Sequence, residues 1–258
     1  MCLKLVPARD SALRIDEAAG WIRESGVSYE VNEPDVYALE EALHLKETAA
    51  GPQGEVLVCT LGPNRAQQAI KEALAKGADR ALHLDDPAFE RLDAYGVARS
   101  LAAALGPEKP DLIVTGLQSD DYGYAQTGVI LAEMLKLPHA TIIMEIQMKD
   151  GGLRVKRELE GGWFQWIELP LPALLTIQSG INKPRYATLR GIMSAKSKPI
   201  RKLTRADLSL TGEELAPKQK ILRLYFPEKK SNTEFLDGSP KEIAAKLVDK
   251  LRNEARVL

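Results

Sequence analysis

Hydrophobic positions in the first half of the chain alternate between two periods. Short apolar runs rich in β-formers are each followed by a segment whose apolar residues recur at helical spacing. The predicted strands are 55–61, 80–84 and 111–116, and the predicted helices are 34–50, 64–76, 92–105 and 126–137. This alternation predicts right-handed βαβ units, and hence a doubly wound α/β domain with a mostly parallel sheet covered on both faces.

The pattern changes after residue 139. Strands separated by Gly-containing turns at 150–152 and 161–162 predict an antiparallel extension of the sheet. Residues 179–199 have little periodicity and are predicted to form a long irregular loop. The tail at 200–236 is charged and weakly patterned, and apolar residues at helical spacing predict an amphipathic helix at 240–256.

These features divide the chain into an α/β domain at 1–199 and a C-terminal arm at 200–258. We expect the arm, with its terminal helix, to wrap around a partner subunit; a self-packed helix after a solvated linker is the alternative. The N-terminal residues MCLKLVP are typical of the second half of a first strand, whose earlier residues we expect to be missing from this sequence.

The composition of the chain disfavours several classes of partner and site. The 35 Lys and Arg residues nearly balance the 36 Asp and Glu residues, which disfavours nucleic acid as a partner. The apolar runs are too short to span a bilayer and the N-terminus lacks a signal-peptide pattern, so a cytoplasmic location is expected. Two cysteines and three scattered histidines predict neither a metal site nor a catalytic centre. Each histidine is interpreted as structural.

In an open parallel sheet, ligands bind beyond the carboxyl ends of the strands. Four loops lie there, at 6–10, 32–35, 61–64 and 117–128. In the last one, Gln126, Thr127 and Gly128 begin a helix, and free N–H groups, a hydroxyl and a glycine together favour a phosphate site. A simple helix cap is the alternative. Phosphate-loop and dinucleotide glycine motifs are absent from the sequence.

Two acidic residues complicate this site. Asp120 and Asp121 would repel a phosphate directly, so we interpret them as acceptors for ribose hydroxyls or as residues that fix the loop.

The segment 155–176, VKRELEGGWFQWIELPLPALLT, resembles the signature of the electron-transfer flavoprotein beta family. The matching positions are Val155, Arg157, Glu160, Gly161, Gly162, Gln165, Ile167, Pro172, Leu174, Leu175 and Thr176. Similar stretches at 77–84, 125–128 and 182–198 extend the resemblance over nearly the whole chain.

The resemblance implies an electron carrier without acid–base chemistry of its own. In this family the beta subunit pairs with an alpha subunit that holds the redox-active FAD, and beta binds AMP with a structural role. Carried over by motif, the implied cofactor-binding residues are Cys2, Asn32, Glu33, Pro34, Asp35, Leu61, Asp121, Tyr122, Gly123, Tyr124, Ala125, Gln126, Thr127, Gly128, Val129, Ile130, Leu131 and Ala132.

The same resemblance implies docking onto client proteins. Residues 177–199 are similar to the family's recognition loop, in which a leucine, here Leu189, enters a pocket on an acyl-CoA-type dehydrogenase of fatty acid β-oxidation. Arg185, Ile192 and Met193 complete the implied docking set. Electrons would then pass to a membrane quinone oxidoreductase through the partner's FAD.

Two alternatives stay open. The loop SDDYGYAQTG departs from the usual AMP-type version, and one branch of the family holds a second FAD in beta and bifurcates electrons. From a different class, a stand-alone adenine-nucleotide hydrolase or sensor could use the same α/β crevice, although the sequence lacks a phosphate loop and an evident base.

Overall fold

The computed structural model describes residues 1–50, 54–227 and 233–258. The chain forms two compact units, Met1–Leu222 and Arg223–Leu258. The strands of the first unit are β1 (Cys2–Leu3), β2 (Leu5–Pro7), β3 (Ile15–Asp16), β4 (Trp21–Ile22), β5 (Tyr29–Val31), β6 (Leu57–Leu61), β7 (Arg80–Leu84), β8 (Leu112–Gly116), β9 (His139–Lys149), β10 (Gly152–Glu158), β11 (Phe164–Pro170), β12 (Ala173–Ile177) and β13 (Ile200–Leu203). Its helices are α1 (Glu33–Leu45), α2 (Gln67–Lys76), α3 (Ala94–Leu105), α4 (Thr127–Leu135) and α5 (Leu189–Ala195).

Two main sheets organise the first unit. One is parallel throughout, in the order β1-β6-β7-β13. The other is mixed, in the order β11-β10-β9-β12-β8, with β9, β12 and β8 parallel and β9, β10 and β11 antiparallel. The predicted βαβ alternation and the antiparallel extension are therefore confirmed. The prediction of one continuous sheet is wrong, because within the described ranges β1 and β8 lie side by side without ladder hydrogen bonds.

Helices cover both faces of the strands, as expected for the mostly apolar and largely buried strands β6, β8 and β12. One buried cluster includes Leu39 and Leu43 of α1 with Ile70 and Leu74 of α2. The other includes residues of α3 and α4 packed on the opposite face of the strands. The core therefore consists of two apolar layers separated by the sheets.

Residues 189–195 correct one prediction. They form helix α5 inside the segment predicted to be irregular, and the Thr188 side chain caps it by accepting a hydrogen bond of 3.0 Å from the Gly191 N–H. The helix was missed because it is short and none of its residues is buried, so it has no apolar face turned inwards for a pattern to reveal.

Residues 200–222 differ from the predicted arm as well. β13 pairs in parallel with β7 at an edge of the first sheet, and Leu210 and Leu215 are buried in the second core cluster. Of the four residues of β13 only Leu203 is buried, so the strand has no alternating pattern. These residues belong to the first unit.

The second unit contains helix α6 (Pro240–Asn253). Ser239 and Glu242 form a reciprocal capping box at its start, which satisfies two N–H groups that the helix itself leaves free. Leu247 and Val248 are exposed. The amphipathic helix expected near 240–256 is present, and its role in wrapping a partner stays a prediction.

Gly128 fixes how closely α4 approaches the mixed sheet. A Cβ atom at this position would lie 2.7 Å from Thr176 Cγ2 and 2.9 Å from Thr115 Oγ1, both on strands beneath the helix. The glycine is therefore required for helix–sheet packing, a role that its position near a predicted phosphate site did not reveal.

We expect Gly128→Ala to lower the free energy of unfolding by about 1–3 kcal/mol, because the added methyl overpacks the helix–sheet interface. Urea denaturation of the full-length chain measures this. The matched control is Gly212→Ala, outside this interface, where φ is not positive and the nearest new contact is the end of the Arg205 side chain at 3.8 Å. That variant should be as stable as the parent or slightly more so, and equal stability of both variants would contradict the packing role.

Candidate functional site

The carboxyl ends of β1, β6 and β8 meet at one edge of the first unit. β1 and β6 run in parallel with Leu3 opposite Thr60, so Lys4 and Leu61 follow at the same level. The start of α1 and the loop 117–126 complete a crevice there, joined by the hydrogen bonds described below. The structure therefore brings together the regions around 4, 32–35, 61 and 116–128.

Asp35 joins the two sheets at this edge. Its carboxylate accepts hydrogen bonds from the N–H of Lys4, at 2.7 Å to Oδ2, and from the N–H of Gly116, at 3.0 Å to Oδ1. A side chain on Gly116 would collide with Asp35 and Pro34, the nearest atom being Asp35 Oδ1 at 2.3 Å. Asp35 therefore replaces the missing ladder bonds where β1 and β8 separate.

Asn32 fixes the loop that covers the crevice. Its buried side chain donates to the Gln118 carbonyl at 2.9 Å and accepts from the Asp120 N–H at 2.8 Å. Its own N–H donates to the Lys4 carbonyl at 2.9 Å. Both functional groups of this side chain are occupied by protein, so its role toward a ligand is to hold the loop.

Cations compensate the acidic residues of the loop. Lys4 Nζ lies 2.5 Å and 2.7 Å from the two oxygens of Asp121 and 3.3 Å from Ser119 Oγ. Arg9 pairs with both Glu33 and Asp120. The repulsion expected from these carboxylates is therefore reduced by ion pairs that the sequence analysis did not foresee.

An aromatic group lies over the same loop. The rings of Tyr122 and Tyr124 stack with centroids 5.5 Å apart, and Trp21 of the β3–β4 hairpin tilts against Tyr122 at 6.4 Å. Lys4 Nζ lies 4.5 Å from the Tyr122 ring centroid. Burial, assisted by the charge of Asp121, raises the pKa of Tyr122 to about 12. The hydroxyl therefore stays protonated at neutral pH.

The start of α4 is suited to an anion. In the described structure the Gln126 side chain makes no capping hydrogen bond, so the first N–H groups of a nine-residue helix lack a side-chain acceptor. Gly123 and Ala125 both have positive φ, at 63° and 52°, which turns the chain sharply before the helix. Thr127, Val129 and Ile130 are partly buried in its first turn.

Three of the predicted cofactor-binding residues have their side chains in the core. Cys2, Leu131 and Ala132 belong to the second core cluster. Desolvation raises the pKa of the Cys2 thiol to about 11, so it is neutral at physiological pH. These residues could offer a ligand main-chain groups, while Leu61, partly buried at the end of β6, lies nearer the crevice.

The predicted docking residues lie together on and before α5. Leu189, Met193 and Ile192 are 76%, 65% and 48% exposed, respectively. Arg185 differs, because its guanidinium is held by Glu40, at 2.9 Å, and Glu47, at 2.6 Å. The arginine therefore anchors the segment to α1, and the three apolar residues form its exposed surface.

Two further contacts hold α5 against α2. A Cβ on Gly191 would lie 2.2 Å from the Ala75 carbonyl oxygen, so only glycine permits this approach. Lys198 Nζ donates to the carbonyls of Leu74, at 2.9 Å, and Ala78, at 2.5 Å, at the end of α2. Desolvation lowers the pKa of Lys198.

Comparison with known proteins identifies the family. The family model described as electron transfer flavoprotein domain matches residues 19–208. The electron transfer flavoprotein subunit beta of Methylophilus methylotrophus is 40% identical over 253 residues, which cover 96% of this chain and 95% of the relative. The chain belongs to the electron transfer flavoprotein beta-subunit family.

Two other relatives match over equally long stretches. The electron transfer flavoprotein subunit beta of Bacillus subtilis strain 168 is 35% identical over 251 residues, covering 96% of each chain. Subunit CarD of the caffeyl-CoA reductase-Etf complex of Acetobacterium woodii is 36% identical over 259 residues, covering 98% of this chain and 97% of the relative. The resemblance found in the signature at 155–176 is thus confirmed.

The described ranges contain neither a candidate metal site nor a helix that could span a membrane. Over the ranges 1–50, 54–227 and 233–258 no group of three His, Cys, Asp or Glu side chains is arranged to hold a metal ion. None of the helices in these ranges is long and apolar enough to cross a bilayer.

Sequence reasoning missed Lys4, Arg9 and Trp21 as parts of the crevice. Lys4 had a usable signal, since it directly follows a strand at the predicted binding edge. Arg9 lies in the loop 6–10 that had been assigned to this edge, but its partners Glu33 and Asp120 are distant in sequence. Trp21 belongs to a two-residue strand that no periodicity reveals.

Asp35 should make stability depend on pH. Desolvation by burial raises its pKa from 3.8 to about 7, against the hydrogen bonds that favour the carboxylate. Between these values the folded state binds a proton that the unfolded state has lost, so stability falls as pH rises from about 4 to 7. The contribution is at most about 4 kcal/mol.

Urea unfolding of parent and Asp35→Asn chains from pH 4 to 8 tests this. The variant should be less stable overall, because its amide presents N–H to a backbone N–H, and its stability should decline less across the window. Parallel pH profiles for the two chains would show that Asp35 does not titrate there.

Proposed function

We propose that this beta subunit pairs with an alpha subunit, binds AMP in the crevice with a structural role, and supports electron transfer from acyl-CoA-type dehydrogenases to the respiratory quinone pool. The observation that carries the proposal is the crevice itself. A helix start without a side-chain cap lies next to loops whose carboxylates are already paired with Lys4 and Arg9.

The crevice has the groups that an adenine nucleotide needs. The free N–H groups at Thr127 and the residues after it suit a phosphate at a helix N-terminus. Asp120 and Asp121, held by cations, have acceptor oxygens suited to ribose hydroxyls. Tyr124, which is 50% exposed, offers one ring face for stacking, while Tyr122 packs behind it. The fit supports a nucleotide bound across the loop 117–128.

Redox chemistry would come from the partner. The FAD of the alpha subunit, when bound, accepts and releases electrons, and this chain's residues supply scaffold and docking surface. The names of the relatives, which specify a beta subunit, support the heterodimer. The wrapping role of the C-terminal arm, the quinone route and the cytoplasmic location all stay parts of the proposal.

Docking onto the dehydrogenase would use α5. Leu189, Ile192 and Met193 project from a short helix that is anchored on α1 and α2 and bordered by the cations of Arg190 and Lys196. A small apolar surface with charged surroundings is suited to a transient interface that is steered electrostatically.

A second candidate places FAD in this subunit and makes it a bifurcating flavoprotein. The exposed ring of Tyr124 favours it, because an aromatic face at the crevice can stack on a flavin as well as on adenine. The similarity to CarD, from a caffeyl-CoA reductase-Etf complex, is compatible with this alternative.

The nucleotide content distinguishes the candidates. The chain is co-expressed with its alpha-type partner, the complex is purified, and the released nucleotides are quantified by chromatography and absorption. We expect one FAD and one AMP per heterodimer. Two FAD would establish the second candidate, and a heterodimer that releases FAD alone would contradict nucleotide binding in beta.

Leu189→Ala should lower the rate of electron transfer from the client dehydrogenase by about tenfold or more, because it removes a central apolar anchor. The nucleotide content should not change. Stopped-flow reduction of the complex by acyl-CoA and dehydrogenase measures the rate. Leu13→Ala, at another exposed leucine, is the control, and an unchanged rate in Leu189→Ala would remove this residue from docking.

A further inference from the structure

Ion pairs join two cations and three carboxylates at the crevice. Lys4 and Arg9 are paired there with Glu33, Asp120 and Asp121. Arg9 is shared by two of these carboxylates, and within the described ranges Asp121 pairs with Lys4 alone. Removing Lys4 takes from Asp121 the cation paired with it, next to the helix start that is proposed to receive a phosphate.

Lys4 is held in place by its main chain. Its N–H is bound by Asp35 and its carbonyl by the Asn32 N–H, at 2.7 Å and 2.9 Å. The side chain therefore leaves from a fixed point at the end of β1. Its ammonium group reaches Asp121 and Ser119 of the loop and the face of Tyr122.

We propose that Lys4 is a positioning and specificity residue of the nucleotide site: by pairing with Asp121 it neutralises the carboxylate nearest to it, so that a phosphate is tolerated beside the loop 117–126. This inference rests on the proposed nucleotide binding and deepens it. According to this inference, the Lys4–Asp121 ion pair allows a phosphate to bind nearby. Lys4 acts through Asp121 and does not contact the ligand itself.

Adenosine, which lacks the phosphate, distinguishes charge compensation by Lys4 from a general loss of structure. An uncompensated Asp121 repels the phosphate of AMP, which carries about two negative charges at neutral pH, and has no such effect on adenosine. A disordered loop would lower the affinity for AMP and the affinity for adenosine alike. The ratio of AMP affinity to adenosine affinity therefore separates charge compensation from general support of the fold.

The experiment uses the complex with the alpha subunit, freed of its beta-site nucleotide, and titrates it with AMP and with adenosine by calorimetry. In Lys4→Met we expect AMP affinity to fall by about tenfold or more and adenosine affinity to change by less than about threefold. Lys4→Arg should retain AMP binding, because it keeps the charge.

Removing the carboxylate should restore binding. In Lys4→Met/Asp121→Asn, AMP affinity should return to within about threefold of the parent complex. Asp121→Asn alone keeps the acceptor for the Tyr122 N–H, at 2.9 Å, and should bind AMP more tightly than the parent. This single variant also tests the proposal if Lys4→Met fails to fold.

Lys46→Met is the matched control. Lys46 contacts both oxygens of Asp79, at 2.6 Å and 2.7 Å, just before β7 begins, and thus at the opposite edge of the sheet. This variant should bind AMP like the parent.

Three results would overturn the inference. Equal losses of affinity for AMP and adenosine in Lys4→Met would mean that Lys4 only stabilises the fold. A loss of AMP binding that Asp121→Asn does not restore would mean that Lys4 contacts the phosphate itself. An AMP affinity in Asp121→Asn no higher than in the parent would also contradict it. A parent complex that binds neither ligand would instead refute the proposed function, so the two failures are distinguishable.

Discussion

The carboxylate of Asp35 is the interaction on which the architecture of the crevice depends. β1 and β8 lie next to each other but belong to different sheets, and their ends leave N–H groups that no strand satisfies. Asp35 accepts from both, at Lys4 and Gly116. Because an unpaired buried N–H is costly, this side chain allows the sheets to separate at an edge where a ligand can enter.

The same junction sets the geometry of the surrounding groups. Gly116 must lack a side chain so that α1 can approach, and Lys4 is held at the end of β1 with its ammonium group directed to the loop. Asn32, three residues before Asp35, fixes that loop through Gln118 and Asp120. The segment 32–35 at the start of α1 thus fixes the ends of β1 and β8, the loop 117–126 and the position of the Lys4 charge.

Much of the fold was predictable because local patterns and tertiary structure agree. The strands β6, β7 and β8 and the helices α2, α3 and α4 were found from periodicity, with boundaries shifted by a few residues. α5 and β13 were not found, since α5 has no buried residue and β13 has only Leu203. At the crevice, strand ends located the loops, but the pairs Lys4–Asp121 and Arg9–Asp120 join residues more than a hundred positions apart, and no local pattern encodes such contacts.

Helix α5 lies against the last turn of α2 at Ala75. Before α5, Arg185 is tied to Glu40 of α1 and to Glu47, which follows the end of α1. Both α1 and α2 begin at the crevice and run back to the opposite edge of the strands. The exposed Leu189 lies on the helix that packs against the last turn of α2, whereas the acidic loop lies at the start of α1. Because the proposed docking surface on α5 and the proposed nucleotide crevice share no residue, substitutions at one would leave the other unchanged, and one scaffold would be reusable with different partners.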